Sequence, residues 1–275
     1  MKEIGSEFWK INNNDLVKKS NIEFFTNLGI DTKFFMSGRT AIDYVLKNIE
    51  DKIKIVYMPN YCCNSMVQPF IDNGYNIKYY KVDLINKKYY IDEKFNCSIF
   101  YGMSYFGYED SNMDNYIKKF KIKNVIVLED ITHRILCKKN HCEKSDYLIA
   151  SLRKWFPIYT GAIAVNKDYL FKKDINQYSV DEKLVRYKKE AMNLKQKYIS
   201  GETKIDKKKF LELYNKSNEM IKDYINKKID NESLEILKYI DIQKYIEQRV
   251  RNVQVLEKKI SEINNVRLLF RYKTR

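Results

Sequence analysis

Two cations, Arg153 and Lys154, stand between two apolar runs, Asp146-Tyr-Leu-Ile-Ala150 and Gly161-Ala-Ile-Ala-Val165. A lysine at the end of a buried strand is costly to desolvate, so its pKa tends to fall. A partly neutral amine can attack a carbonyl and form a Schiff base. Ser151 comes three residues before Lys154, where its hydroxyl could hold an anion such as phosphate. The same four residues, Ser151-Leu-Arg-Lys154, also read as a surface turn with snorkelling cations.

A second candidate is Val125-Ile-Val-Leu-Glu-Asp130-Ile-Thr-His133, an apolar strand ending in two carboxylates. Ligands of open α/β sheets sit outside the carboxyl ends of strands. Glu129 or Asp130 could there bind a metal, a ribose hydroxyl or a protonated ring nitrogen, with His133 in reach. The competing role for Asp130 is a plain helix N-cap. A third stretch, Phe34-Phe-Met-Ser37-Gly38-Arg39-Thr40, opens a helix with small residues. Free N–H groups at such a start make an anion site, or an ordinary capped helix. His133, Cys137, His141 and Cys142 fall close together, but their spacing matches no zinc pattern and no metal is expected.

The elements that must carry these residues alternate. Short apolar runs at 53–58, 77–82, 97–101, 125–128, 147–150 and 162–165 read as strands covered on both faces. Between them, 40–49 places Ala41, Ile42, Val45, Leu46 and Ile49 on one helical face, and 65–73 and 113–120 are weaker helices. This rhythm predicts an α/β fold with a mostly parallel, doubly wound sheet. From about residue 168 the texture turns to Lys- and Glu-rich helices. The clearest runs over 241–263, with Asp241 as its N-cap. The run 266–272 reads as the start of a further strand.

The 275 residues are 44% hydrophobic and 14% aromatic, enough for a packed core. The net charge is +15, but the lysines are spread along the chain and not gathered in one stripe. That argues against a nucleic-acid or membrane surface and for a general compositional bias. No window approaches the roughly 18 apolar residues of a membrane span. Five cysteines without a secretory leader point to free thiols in the cytoplasm.

Taken in order, these stretches resemble the DegT/StrS family of pyridoxal-phosphate sugar aminotransferases, of the aspartate-aminotransferase fold type I. The matching segments are Gly5-Ser-Glu-Phe-Trp9, Ser37-Gly38-Arg39-Thr40-Ala41, Met58-Pro-Asn-Tyr61 and Tyr101-Gly-Met-Ser-Tyr-Phe-Gly107. They continue with Glu129-Asp130-Ile-Thr-His133, the Ser151–Lys154 turn with Gly161, and Arg249-Val-Arg-Asn252. The resemblance implies a large cofactor-binding domain over 1–170. A helical segment over 171–275 would lead into an incomplete small domain. It implies that Lys154 forms the Schiff base with pyridoxal phosphate and later shuttles a proton, and that Asp130 pairs with the pyridine nitrogen. His133 would meet the phenolic oxygen and Tyr61 would stack on the ring. Ser151 and the turn of Ser37, Gly38, Arg39 and Thr40 would hold the phosphate. Glutamate as donor, a nucleotide-linked keto-sugar as acceptor, polysaccharide or amino-sugar synthesis and a homodimer follow by the same analogy. Departures are Arg39 inside the phosphate turn, Ser-Tyr in the loop at 103–107 where a His is common, and Arg153 beside the lysine. Two other readings stand beside it: a protein of this fold without transaminase activity, and a basic nucleic-acid-binding protein using the 183–260 helices.

Overall fold

β-branched and aromatic runs form strands when both faces are covered, and here helices cover both. The computed structural model describes residues 7–50, 53–107, 111–202 and 205–266. Along the chain come α1 (Glu23–Thr26), β1 (Asp31–Phe35), α2 (Gly38–Asn48), β2 (Ile55–Pro59), α3 (Asn64–Asp72), β3 (Asn76–Asp83) and β4 (Lys88–Tyr90). They are followed by β5 (Ile99–Met103), α4 (Ser111–Ile122), β6 (Ile126–Asp130), β7 (Tyr147–Ala150) and β8 (Ala162–Asn166). The helices α5 (Glu182–Ile199), α6 (Lys207–Met220), α7 (Asn231–Tyr239) and α8 (Ile242–Ser261) complete the described residues.

The eight strands form one sheet in the order β1-β8-β7-β6-β5-β2-β3-β4. The centre, β7-β6-β5-β2-β3, is parallel. At one side β8 runs antiparallel to both β7 and β1, and at the other β4 runs antiparallel to β3. The expected mostly parallel sheet is present, and the two strands missed, β1 and β4, lie at its edges. Neither has the continuous apolar run that a doubly covered strand requires: β1 is only partly buried along its length and β4 is half exposed. The strand read at 266–272 falls almost entirely outside the described residues, as do Gly5 and Ser6 of the opening segment.

Side-chain alternation splits the core between the two faces. Ala162 and Ala164 of β8 pack with α2 and α3, beside Val45, Phe70 and Tyr101. Ile163 and Val165 of the same strand pack with Phe25, Ile236 and Leu237 on the other face. Gly29, just before β1, fits into that second layer with no room to spare. A Cβ there would stand 2.6 Å from Val165 Cγ1 and 2.7 Å from the Asn166 carbonyl oxygen. Backbone cannot yield as a side-chain tip can, so Gly29→Ala is expected to cost about 1–3 kcal/mol. An unchanged urea midpoint would refute this.

Helices α5 and α6 pair over Ala191, Met192, Phe210 and Tyr214. The first described residues strap across them. Tyr214 donates to the Phe8 carbonyl at 2.6 Å, and Glu7 meets the buried Lys188 at 3.1 Å. Asp241 caps α8 by accepting the Lys244 N–H at 3.0 Å. Of α8, only Ile242 is buried. Its Arg249 lies over the Trp155 ring, 4.2 Å from the centroid, which ties it to the turn after β7. Among the described residues no helix is long and apolar enough to cross a membrane.

Candidate active site

The carboxyl ends of three neighbouring parallel strands, β5, β6 and β7, meet on the side of the sheet open α/β folds use for ligands. The registers put Met103 of β5, Asp130 of β6 and Ile149 of β7 in one row. Asp130 is buried, and its carboxylate accepts the Tyr101 hydroxyl at 2.9 Å and the Thr132 N–H at 2.8 Å. Burial, then the Asp130 charge, holds the Tyr101 phenol well above its usual pKa, so it remains a donor. The Thr132 hydroxyl in turn accepts the Ser151 N–H at 3.0 Å, and its carbonyl accepts the Trp155 indole. The carboxylate is thus held on two sides, and the ends of β6 and β7 are tied together. A turn and not a helix follows Asp130, so the N-cap alternative does not apply.

Helix α2 supplies the opposite wall. Ser37 caps it by accepting the Thr40 N–H at 3.4 Å. The Ser37 and Thr40 hydroxyls lie 3.2 Å apart, and Thr40 donates to the Tyr224 carbonyl at 3.0 Å. The Thr40 side chain therefore serves the packing of α2. The Gly38 and Arg39 N–H groups, at the first two helical positions, have no acceptor inside the helix. A Cβ placed on Gly38 would come within 3.7 Å of the Ser151 Cβ, so the two turns face each other closely.

Between them lies a cleft of about 400 Å³, part of it open solvent. Of the sequence-predicted residues it gathers Ser37, Gly38, Arg39, Asp130, Ser151 and Lys154; Thr40, Tyr61 and His133 are not in its lining. Tyr61 is 53% exposed, with its ring edge against Tyr105 at 5.5 Å. His133 stacks on Phe106 at 5.5 Å and accepts the Phe106 N–H on Nδ1 at 3.2 Å. Burial lowers its pKa; Asp130 opposes this and Lys154 adds to it, so both charges reach the ring. Cys63, Thr132 and Arg153 also line the cleft, though no role was read for them in the sequence. For Thr132 the available signal was its place two residues after a strand-ending Asp, where its N–H can close an Asx turn. Cys137, His141 and Cys142 point to three separate partners, the Gly107 carbonyl, Asn140 and the Asp114 carbonyl.

The lysine needs a correction. The sequence reading buried Lys154 at a strand end. The structure instead places it on a 3-10 turn, Leu152–Lys154, with its side chain exposed at the cleft. Among the described residues its ammonium makes no ion pair or hydrogen bond. The more covered cation of the pair is Arg153, half-buried, whose pKa is lowered by burial first and by Arg39, against the pull of Glu7.

Glu129 also departs from expectation. Alternation along β6 sends it to the face opposite Asp130. There it is fully buried and accepts Ser145 Oγ at 2.6 Å, the Cys142 N–H at 2.9 Å and Arg134 at 3.4 Å. Burial pushes its pKa up to about 7 against those donors. The folded state then holds the proton more tightly than the unfolded chain. The stabilisation is full below about pH 4.5 and is lost as pH rises toward about 7. Glu129→Gln is expected to flatten the fall in urea midpoint across that window, and a fall as steep as in wild type would count against it.

Neither a protein-family model nor a curated protein matches this sequence. Solved structures do. The aminotransferase TlmJ from Streptoalloteichus hindustanus matches with a TM-score of 0.45 and 13% identity, over 54% of this chain and 44% of that one. NtdA from Bacillus subtilis, with bound cofactor PMP, matches at 0.43 and 15%, over 57% and 39%. The 3-amino-5-hydroxybenzoic acid synthase matches at 0.43 and 13%, over 52% and 40%. The match spans less than half the length of each of these proteins.

Proposed function

We propose that this protein is a pyridoxal-phosphate-dependent aminotransferase. The observation that carries the reading is the meeting, in one cleft, of the Lys154 amine, unpaired among the described residues, the Asp130 carboxylate and the open start of α2. The residues fit the cofactor. Asp130 is pre-positioned by Tyr101 and Thr132 to face a protonated nitrogen. Gly38 leaves a gap beside Ser151 that an added Cβ would narrow. Gly38, Arg39 and Ser151 line the part of the cleft suited to the phosphate.

When bound, pyridoxal phosphate supplies an aldehyde that takes up amines and a ring that withdraws electrons. Lys154 would be the chain's own amine for that aldehyde, and its Nζ would be the base that moves a proton at the substrate carbon. Asp130 would hold the ring nitrogen charged, with Tyr101 keeping Asp130 in place. His133 and Tyr61 stand outside the lining of the cleft. By resemblance, the donor is glutamate and the acceptor a nucleotide-linked keto-sugar, in a cytoplasmic homodimer whose second domain begins with the helices after residue 170.

The test is a visible spectrum of the purified protein with added pyridoxal phosphate. A new band supports the reading, and its conversion by glutamate supports transamination. No band removes the reading. A band that glutamate leaves unchanged makes this a cofactor-binding protein without transaminase activity.

A further inference from the structure

No motif gives Arg153 a task, yet its surroundings are unusual. Its Nε is sealed from solvent and has no hydrogen-bond partner among the described residues. Its side chain lines the cleft beside Arg39 and Lys154. The carboxylate whose charge reaches it is Glu7, and that group is engaged elsewhere. Glu7 lies 3.1 Å from Lys188 Nζ and accepts Asn218 Nδ2 at 3.5 Å. Arg39, which also acts on Arg153, has the same sign.

A half-buried guanidinium whose Nε is sealed and unpartnered among the described residues, and whose nearest carboxylate is shared with Lys188, gains from a ligand that brings negative charge. The cleft has three cations, Arg39, Arg153 and Lys154, against one carboxylate, Asp130. Two positive charges are left uncompensated, and the positive end of α2 adds to them. A phosphate dianion matches that charge, and its oxygens match the planar fork of a guanidinium. We propose that Arg153, together with Arg39, grips the ligand's phosphate and sets a preference for a phosphorylated over an unphosphorylated ligand. The identity of that ligand rests on the reading above; its charge rests on the cleft alone.

The test is thermal unfolding of the full, cofactor-free chain in inorganic phosphate against chloride at equal ionic strength. Phosphate is expected to raise the melting temperature of the wild type. Arg153→Gln is expected to lose most of that gain, with phosphate affinity weakened about tenfold or more. Arg153→Lys keeps part of it, since a point charge replaces a fork. Without phosphate, Arg153→Gln is expected to melt no lower than wild type, because it removes a charge that makes no ion pair among the described residues. A large drop there would mark the arginine as structural and overturn the proposal. So would an equal phosphate gain in wild type and Arg153→Gln, or pyridoxal binding as tightly as pyridoxal phosphate. If Arg153→Gln does not fold, an undiminished phosphate gain in both Arg39→Gln and Arg153→Lys overturns it. Absence of a visible band with pyridoxal phosphate sinks the aminotransferase reading and leaves the phosphate gain standing. An unchanged phosphate gain in the variants sinks this proposal and leaves the band standing.

Discussion

Lys154→Ala is expected to abolish the visible band formed with pyridoxal phosphate and to slow transamination by about 10³-fold or more. On the proposed function, two roles would be lost with one amine: the covalent hold on the aldehyde and the base that moves the substrate proton. Stability should stay within about 0.5 kcal/mol, because the side chain is exposed and makes no bond among the described residues. Lys154→Arg sharpens the test. It keeps the charge but carries a guanidinium that stays protonated and does not attack carbonyls. A variant at this position that keeps both band and turnover would transfer the chemistry to another amine. Lys188 would be the first to examine, since burial lowers its pKa to about 8.

Arg134→Ala should be the most damaging single change to the fold. Arg134 is 1% exposed and lies between Asp114 at 3.3 Å and Glu129 at 3.4 Å. It also donates to Ser104 at 3.2 Å and to the Lys139 carbonyl at 3.0 Å. Above about pH 7, where Glu129 is ionised, removing it leaves that buried carboxylate without its cation, while Asp114 keeps Lys139 at 2.6 Å. Breaking one side of a buried pair typically costs about 3–5 kcal/mol, a large share of the roughly 5–15 kcal/mol that holds a protein folded. Guanidinium unfolding followed by far-UV circular dichroism measures this, and a midpoint within error of wild type would refute it. Above about pH 7, Arg134→Met, which fills the space, should not rescue it, because the ionised Glu129 would still lack its cation. The consequence reaches the cleft, because Ser104 directly follows β5 and Glu129 precedes Asp130 on β6.

Much of the scaffold was legible in the chain. β7 at 147–150 and the capped start of α8 at Asp241 lie where periodicity and cap chemistry put them. Helix α2 also begins at its small-residue turn, with Ser37 as the cap. Such features depend on neighbours a few residues apart, so local pattern carries them. Ser37, Gly38 and Arg39, which follow the edge strand β1, meet Asp130, Ser151 and Lys154, at and after the ends of β6 and β7, in one cleft.

What local pattern could not carry was the orientation of adjacent like residues. Glu129 and Asp130 are neighbours of one type, and only the pleat of β6, once seated in the sheet, decides which carboxylate meets the cleft and which is buried behind it. Arg153 and Lys154 are likewise two adjacent cations. The 3-10 turn after β7 half-buries the first, covering its Nε, and exposes the second, while both line the cleft. The sequence by itself determined which residue types reach this corner of the sheet, because short-range periodicity sets strands and helix starts. Only the tertiary structure decided which carboxylate meets the cleft and which cation is partly covered, because burial is set by the elements packed around a side chain and not by its neighbours in the chain.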